Sequence, residues 1–264
     1  MSLLGVDVHA LTVEEFNRII ADAITAGRRC VIASQNLHSV YLYHHDLRTR
    51  QFCAQADYFH IDGMALVILG RFWYSLPLRR DHRVTHADWM DLLMATAAAE
   101  GWRVFYLGSR PGVVERGAEI LRARHPKLQI QTSHGHFDVS QQGEQNRSVV
   151  ARIRQYNPHI LMVGMGQPRQ EHWILDNLPH LTANAIITTG AAMDYIAGVV
   201  PTPPRWSGRL GLEWMFRLAS EPKRLWRRYL LEPWFIARLL LTESVTSKRL
   251  PSMLNSSRSS KGSD

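Results

Sequence analysis

At 264 residues, with 45% hydrophobic and 20% charged side chains, the chain can bury one sizeable α/β core and has a globular rather than a disordered or bilayer-spanning composition. Only Cys30 and Cys53 occur, outside any metal-ligand spacing, which excludes a disulfide framework and a cysteine-based zinc site. The net charge of +8 is concentrated at one end: residues 205–264 carry twelve Lys/Arg against five Asp/Glu. That asymmetry implies a local anionic partner such as a phospholipid surface, a diphosphate or nucleic acid, with a solubilising tail as the plainer alternative.

No basic segment leads into an apolar stretch at the start, so no secretory leader is expected and a cytoplasmic setting fits. The pattern then predicts a helix over about 13–26, a strand over 30–34 and a helix over 37–43. In Phe59-His-Ile-Asp62-Gly63-Met-Ala-Leu a carboxylate stands between an apolar run and an apolar helix, at a glycine that permits a sharp turn. Asp62 is either a helix cap or a general base, since a carboxylate in a partly apolar crevice can have its pKa raised to a useful value.

Three segments then repeat one design of strand, glycine turn and helix, which predicts parallel strands with crossover helices. They are Arg103–Leu107 with the turn Gly108-Ser109-Arg-Pro-Gly112, His159–Val163 with Gly164-Met-Gly166, and Ala185–Thr189 with Gly190 and a short helix carrying Asp194. The fold class is therefore α/β, a Rossmann-like parallel sheet with crossover helices, plus a basic C-terminal helical appendage. Turns of this kind direct backbone N–H groups and helix N-termini at the carboxyl ends of the strands, a favourable place for a nucleotide phosphate. Each glycine taken singly is equally explained by turn geometry. Gln167, Arg169, Gln170 and Glu171 crowd the next helix start, where they either reach a ligand or cap the helix.

Pro201-Thr-Pro-Pro204 cannot continue a helix or pair centrally, so the catalytic domain is expected to span 1–200. An amphipathic appendage over 205–245 and a disordered tail over 246–264 follow. In the appendage Arg217, Arg224, Arg227 and Arg228 recur at roughly helical spacing among Trp214, Trp226, Tyr229 and Trp234, as in a helix lying on an anionic membrane; the alternative packs the aromatics on the core and solvates the arginines. No apolar run approaches the roughly 18–20 residues that span a bilayer.

No Asp-x-Asp pair occurs, so the usual carboxylate clamp for a metal on a nucleotide-sugar diphosphate is missing, and arginines are the natural substitute. No histidine pair with ligand spacing falls on one predicted helix, and neither a Gly-x-Ser-x-Gly elbow nor a Walker loop is present. No cofactor is expected. Two other readings compete: a non-catalytic basic module that binds nucleic acid through the C-terminal stripe, which carries no recognised motif, and a nicotinamide-dependent oxidoreductase, whose glycine fingerprint is incomplete here.

Taken in order, Ser34-Gln-Asn36, Ile61-Asp-Gly63, Leu107-Gly-Ser-Arg-Pro-Gly112, His134-Gly-His-Phe137, Gly164-Met-Gly-Gln-Pro-Arg-Gln-Glu171, Met193-Asp194 and Leu210-Gly-Leu-Glu-Trp214 through Arg224 make the chain resemble the WecG/TagA/CpsF family of bacterial glycosyltransferases. The resemblance runs from Gly5 to about Tyr229. It implies inverting transfer from a UDP-sugar donor to a polyprenyl-diphosphate glycolipid acceptor, at the inner face of the bacterial cell membrane and without nucleic acid; a homo-oligomer is compatible with it. By the same resemblance Asp62 is the base, and Ser34, Asn36, Arg83, Thr85, Gln167 and Gln170 bind substrate. Gly108, Ser109, Gly112, Gly164, Gly166, Gly190 and Asp194 form the nucleotide site, while Arg217, Arg224 and Arg227 close over the diphosphate. Ser34 stands where the family usually has Thr, His86 replaces a glycine, and Ala191-Ala192 replace a glycine-containing stretch. The last two lie by the expected donor pocket, where family members differ between N-acetylmannosamine, its uronic acid and glucose.

Overall fold

The computed structural model describes residues 1–201, 207 and 212–242, with the side chains of Glu213 and Arg224 left out of the description. The expected tail over 246–264 and most of the expected boundary at Pro201–Pro204 lie outside these residues.

The centre is a six-stranded sheet in which every neighbouring pair is parallel. After a short antiparallel hairpin, β1 (Ser2–Leu3) and β2 (Val6–Asp7), the sheet strands are β3 (Cys30–Gln35), β4 (Tyr58–Ile61), β5 (Arg103–Gly108), β6 (Gln129–Ser133), β7 (Ile160–Gly164) and β8 (Ala185–Thr188), in the spatial order β4-β3-β8-β7-β5-β6. Every residue of β7 and β8 is buried, which is why these strands read as unbroken apolar runs: helices cover both faces.

Helices α1 (Val13–Thr25), α5 (His86–Glu100) and α6 (Val113–Arg124) pack on one face through Phe16, Ile20, Trp89, Leu93, Val114 and Leu121. On the other face lie α3 (Leu47–Cys53), α7 (Glu144–Tyr156) and α8 (Arg169–Asn177), with Phe52, Ile153, Trp173 and Ile174. Helix α1 starts at a capping box in which the Thr12 N–H donates to Glu15 Oε2 at 2.8 Å and the Glu15 N–H to Thr12 Oγ1 at 3.3 Å. Helix α2 (Leu37–His45) is capped by Asn36, whose Oδ1 accepts from the N–H groups of His38 and Ser39 at 3.0 and 3.1 Å.

A third cluster joins the hairpin (Leu3, Leu4, Val6), α4 (Met64–Phe72) and a C-terminal helix over residues 232–242, which contributes Ile236 and Leu240. Further helices among the described residues are α9 (Ala192–Ile196), α10 (Glu213–Ser220) and α11 (Pro222–Leu230); residues 232–242 are α12. These α10–α12 helices lie within the segment where the sequence predicts a helical appendage.

The chain leaves β5 toward β6 at the sheet edge and leaves β7 in the opposite direction toward β8. Loops that diverge in this way open a crevice at the carboxyl ends of the strands.

Candidate active site

A cavity of about 990 Å³ opens over those carboxyl ends, lined from β3 by Ser34 and Asn36, from the end of β4 by Asp62, from the β5 and β7 turns by Ser109, Arg110, Gly164, Gly166 and Gln167, and from the β8 turn by Gly190 and Asp194. Helices α10 and α11 add Arg217, Arg227 and Arg228 to its lining.

Asp62 is not a helix cap. Its N–H is held by the Gln35 carbonyl at 2.9 Å, and the cap position of α4 belongs to Gly63, with no side-chain cap bond. The carboxylate, free of a capping duty, lies in the cavity wall, and its charge acts on His60, His86, Tyr195 and Arg228.

Of the glycines expected at the nucleotide site, Gly164, Gly166 and Gly190 line the cavity. Gly108 and Gly112 do not line the cavity. A Cβ on Gly108 would lie 2.2 Å from the Gly164 carbonyl oxygen, and one on Gly164 would lie 2.0 Å from the Tyr106 hydroxyl and 2.6 Å from the Gly190 carbonyl, so these glycines let three strand ends meet. The Gly112 N–H donates to Glu115 Oε2 at 2.6 Å, starting α6, and the Gly190 N–H donates to Gln170 Oε1 at 3.1 Å. Those N–H groups are occupied within the protein. The turns also bring to the cavity the Ser109 hydroxyl, which donates to Asp194 Oδ1 at 2.7 Å, beside Gly164, Gly166 and Gly190.

Beneath them the buried Tyr106 hydroxyl accepts from the Met193 N–H and the Thr189 hydroxyl at 3.2 and 3.3 Å, and burial pushes its pKa up to about 12, so it stays a neutral clamp.

Arg83 and Thr85 stand behind the wall. The Thr85 hydroxyl donates to Asp88 Oδ2 at 2.9 Å, and Arg83 Nη2 lies 3.9 Å from the same oxygen. Gln170 is fully buried, its amide fixed between Glu171 and the Gly190 turn, so it braces the site from within. Asn36 serves twice: while Oδ1 caps α2 it also accepts from Arg228 Nη2 at 3.1 Å, and Nδ2 lies 3.5 Å from Gln167 Oε1.

Arg228 was not singled out for the site from the sequence, although it lies one helical turn after Arg224, whose side chain is outside the description. Burial lowers the Arg228 pKa from its ordinary value, and the contact with Asn36 brings the C-terminal helices onto the sheet. His38 Nδ1 and the Glu232 carboxylate, 2.9 Å apart, add a second tie. His86 stacks on Tyr195 with ring centroids 4.8 Å apart, and the Arg217 guanidinium lies 5.5 Å from the centre of the same ring. Burial lowers the His86 pKa to about 4, leaving the imidazole neutral.

The family model described as "Glycosyl transferase WecG/TagA/CpsF family" matches residues 1–250, nearly the whole chain. The chain belongs to that family. The WecG/TagA/CpsF chain is similar to the N-acetylglucosaminyldiphosphoundecaprenol N-acetyl-beta-D-mannosaminyltransferases of Staphylococcus aureus strains MW2 and NCTC 8325, at 27% identity over 237 residues that cover 86% of this chain and 87% of each relative. This WecG/TagA/CpsF protein is thus a glycosyltransferase built on a six-stranded parallel sheet. Among the described residues no helix is long and apolar enough to cross a membrane, and no group of three His, Cys, Asp or Glu side chains is placed to hold a metal ion.

Proposed function

We propose that the protein transfers a sugar from a UDP-sugar to the hydroxyl of a sugar carried on a polyprenyl diphosphate, with inversion to a β-glycoside. The observation that carries this reading is the Asp62 carboxylate, held by the end of β4 in the wall of a cavity that arginines also line. In the reaction Asp62 takes the proton of the acceptor hydroxyl as its oxygen attacks the anomeric carbon. The bond from that carbon to the diphosphate oxygen breaks, and UDP leaves with the electron pair.

Charge grows on the leaving diphosphate, and Arg217, Arg227 and Arg228 are placed to meet it, with no protein-held metal required. Ser109 and Asp194 suit the nucleotide, and Ser34, Asn36 and Gln167 the sugars. By their printed name the staphylococcal relatives move N-acetylmannosamine onto undecaprenyl-diphosphate-linked N-acetylglucosamine, and an acceptor of that class suits this chain. The donor sugar is of the N-acetylmannosamine, N-acetylmannosaminuronate or glucose type.

The segment over 205–245 acts as membrane dock and active-site lid. Trp214, Met215, Trp226, Leu230, Leu231 and Trp234 are exposed while Arg228 turns inward, the reverse of a helix that packs its aromatics and solvates all its arginines. Exposed tryptophans beside arginine suit the interface of an anionic bilayer, and the protein attaches peripherally to the inner face of the cell membrane. An inward Arg228 also weighs against a continuous basic stripe for nucleic acid.

The test is UDP release from a panel of UDP-sugars with short-chain polyprenyl-diphosphate sugar acceptors. Wild type is expected to release UDP only with acceptor, and Asp62→Asn to be slower by roughly a hundred- to ten-thousandfold. No release with any donor across several acceptors would overturn the transferase reading, and equal rates in the variant would remove Asp62 from the mechanism.

A further inference from the structure

Beside Asp62 the cavity lining includes two side chains, His60 and Trp89, each with a buried polar atom that has no hydrogen-bond partner among the described residues. Alternate strand residues share a face, so His60 and Asp62 are on one side of β4, while Ile61 turns away into the cluster with Leu3 and Ile236. His60 is 2% exposed and lines the cavity, and its Nδ1 lies 2.8 Å from the Val84 carbonyl. A carbonyl only accepts, so Nδ1 carries the proton and Nε2 offers a lone pair. Nε2 is buried and has no hydrogen-bond partner among the described residues.

Trp89, three residues after His86 on the same face of α5, is 1% exposed and lines the same cavity. Its Nε1–H can only donate, and it too is buried without a partner among the described residues. Both rings pack on Phe16, with centroids 5.1 and 4.9 Å from the phenyl ring. A lone acceptor and a lone donor therefore flank one apolar side chain, in an interior where buried polar groups are seldom left unpaired.

We infer that His60 and Trp89 form a subsite for a hydroxyl of the transferred sugar, His60 Nε2 accepting from it and Trp89 Nε1 donating to it. This rests on the transfer reaction proposed above. A hydroxyl is the one common sugar group that donates and accepts through a single atom. Burial lowers the His60 pKa and keeps the ring uncharged, which suits a neutral hydroxyl rather than a phosphate or carboxylate. Sheet order supplies the direction: with the nucleotide over β8, β7 and β5, the sugar extends over β3 and β4, where Asp62 and this pair stand.

The experiment is calorimetric titration of the full-length chain with UDP, with UDP-sugars and with their single-deoxy analogues, using wild type, His60→Leu and Trp89→Phe, and thermal melts to confirm that each variant folds. UDP affinity is expected to stay within about twofold, whereas UDP-sugar affinity falls about tenfold in each variant. Wild type is expected to lose a similar factor toward the one analogue that lacks the bonded hydroxyl, a comparison that needs no variant to fold; the variants no longer discriminate against it. Unchanged UDP-sugar affinity in both variants, or a wild type indifferent to every deoxy analogue, would overturn the inference and leave the pair holding a buried water. A change confined to the acceptor KM would overturn it as well, by moving the hydroxyl to the other substrate. Failure of the transfer reading is separately visible as absent acceptor-dependent UDP release by wild type, because the subsite is read from donor binding alone.

Discussion

Glu171 is wholly buried; its Oε1 accepts from Gln170 Nε2 at 2.8 Å, and Oε2 has no partner among the described residues. Burial raises its carboxyl from the ordinary 4.5 to about 7. Between those values the folded chain keeps a proton that the unfolded chain has released, so this residue's contribution to stability declines as pH rises through the window. His86 acts in the opposite sense: its pKa is lowered from 6.5 to about 4, so its contribution is lost as pH falls through that range. In Glu171→Gln the first effect is gone, and urea unfolding is expected to show the variant gaining on wild type from about pH 4.5 to 7, with no further gain above. A constant difference across that window would mean that Glu171 is ionised in the fold. The sequence marked the crowded stretch from Gln167 to Glu171 but left ligand binding and capping open. What separated these side chains was the fold, which put Gln167, Arg169 and Gln170 in the cavity wall, Gln170 with no exposed surface, and turned Glu171 away from it. Asp62 was legible as a base or a cap, and the choice turned on whether a backbone N–H lay within reach of its carboxylate, a fact of three-dimensional geometry.

Strand ends and helix starts show the same division. The apolar runs of β5, β7 and β8 could be read directly, because strands covered on both faces carry no alternation to confuse. Strand β6, Gln129-Ile-Gln-Thr-Ser133 at the sheet edge, is polar at all but Ile130 and has no such signal. The turn glycines were legible as turns, yet their work is close approach: Gly164→Ala would drive a methyl into Tyr106 and the Gly190 backbone. Because Tyr106 also holds the Met193 N–H, this substitution is expected to cost about 1–3 kcal/mol in denaturant unfolding and to weaken UDP binding together with it. Gly166→Ala tests a different limit, since its φ of 78° strains any side chain although nothing stands within 4 Å of the added Cβ. A smaller loss of about 1 kcal/mol is expected there. Equal and negligible effects of both substitutions would show that the strand ends can separate without cost.

At the scale of the molecule, a sheet with its crevice is joined to C-terminal helices through Arg228–Asn36, His38–Glu232 and the packing of Ile236 and Leu240 on the N-terminal hairpin cluster. Those helices leave Trp226 42% and Trp234 76% exposed. Replacing both by Ser is expected to weaken binding to phosphatidylglycerol vesicles by about tenfold or more in a sedimentation assay while leaving UDP affinity unchanged, because the lost contacts are with the bilayer interface. Vesicle binding equal to wild type would remove these residues from the dock. The parallel α/β class, the charge gathered at one end and the family were all available from the chain alone, because apolar runs, glycine turns and ordered motifs are local and survive without coordinates. Which arginines line the cavity, which glycine N–H is already taken, and that His60 and Trp89 line the site with ring nitrogens lacking a partner among the described residues could be settled only by the folded arrangement. Each depends on neighbours distant in sequence, brought together when β3, β4 and β8 align and the C-terminal helices pack back on the hairpin.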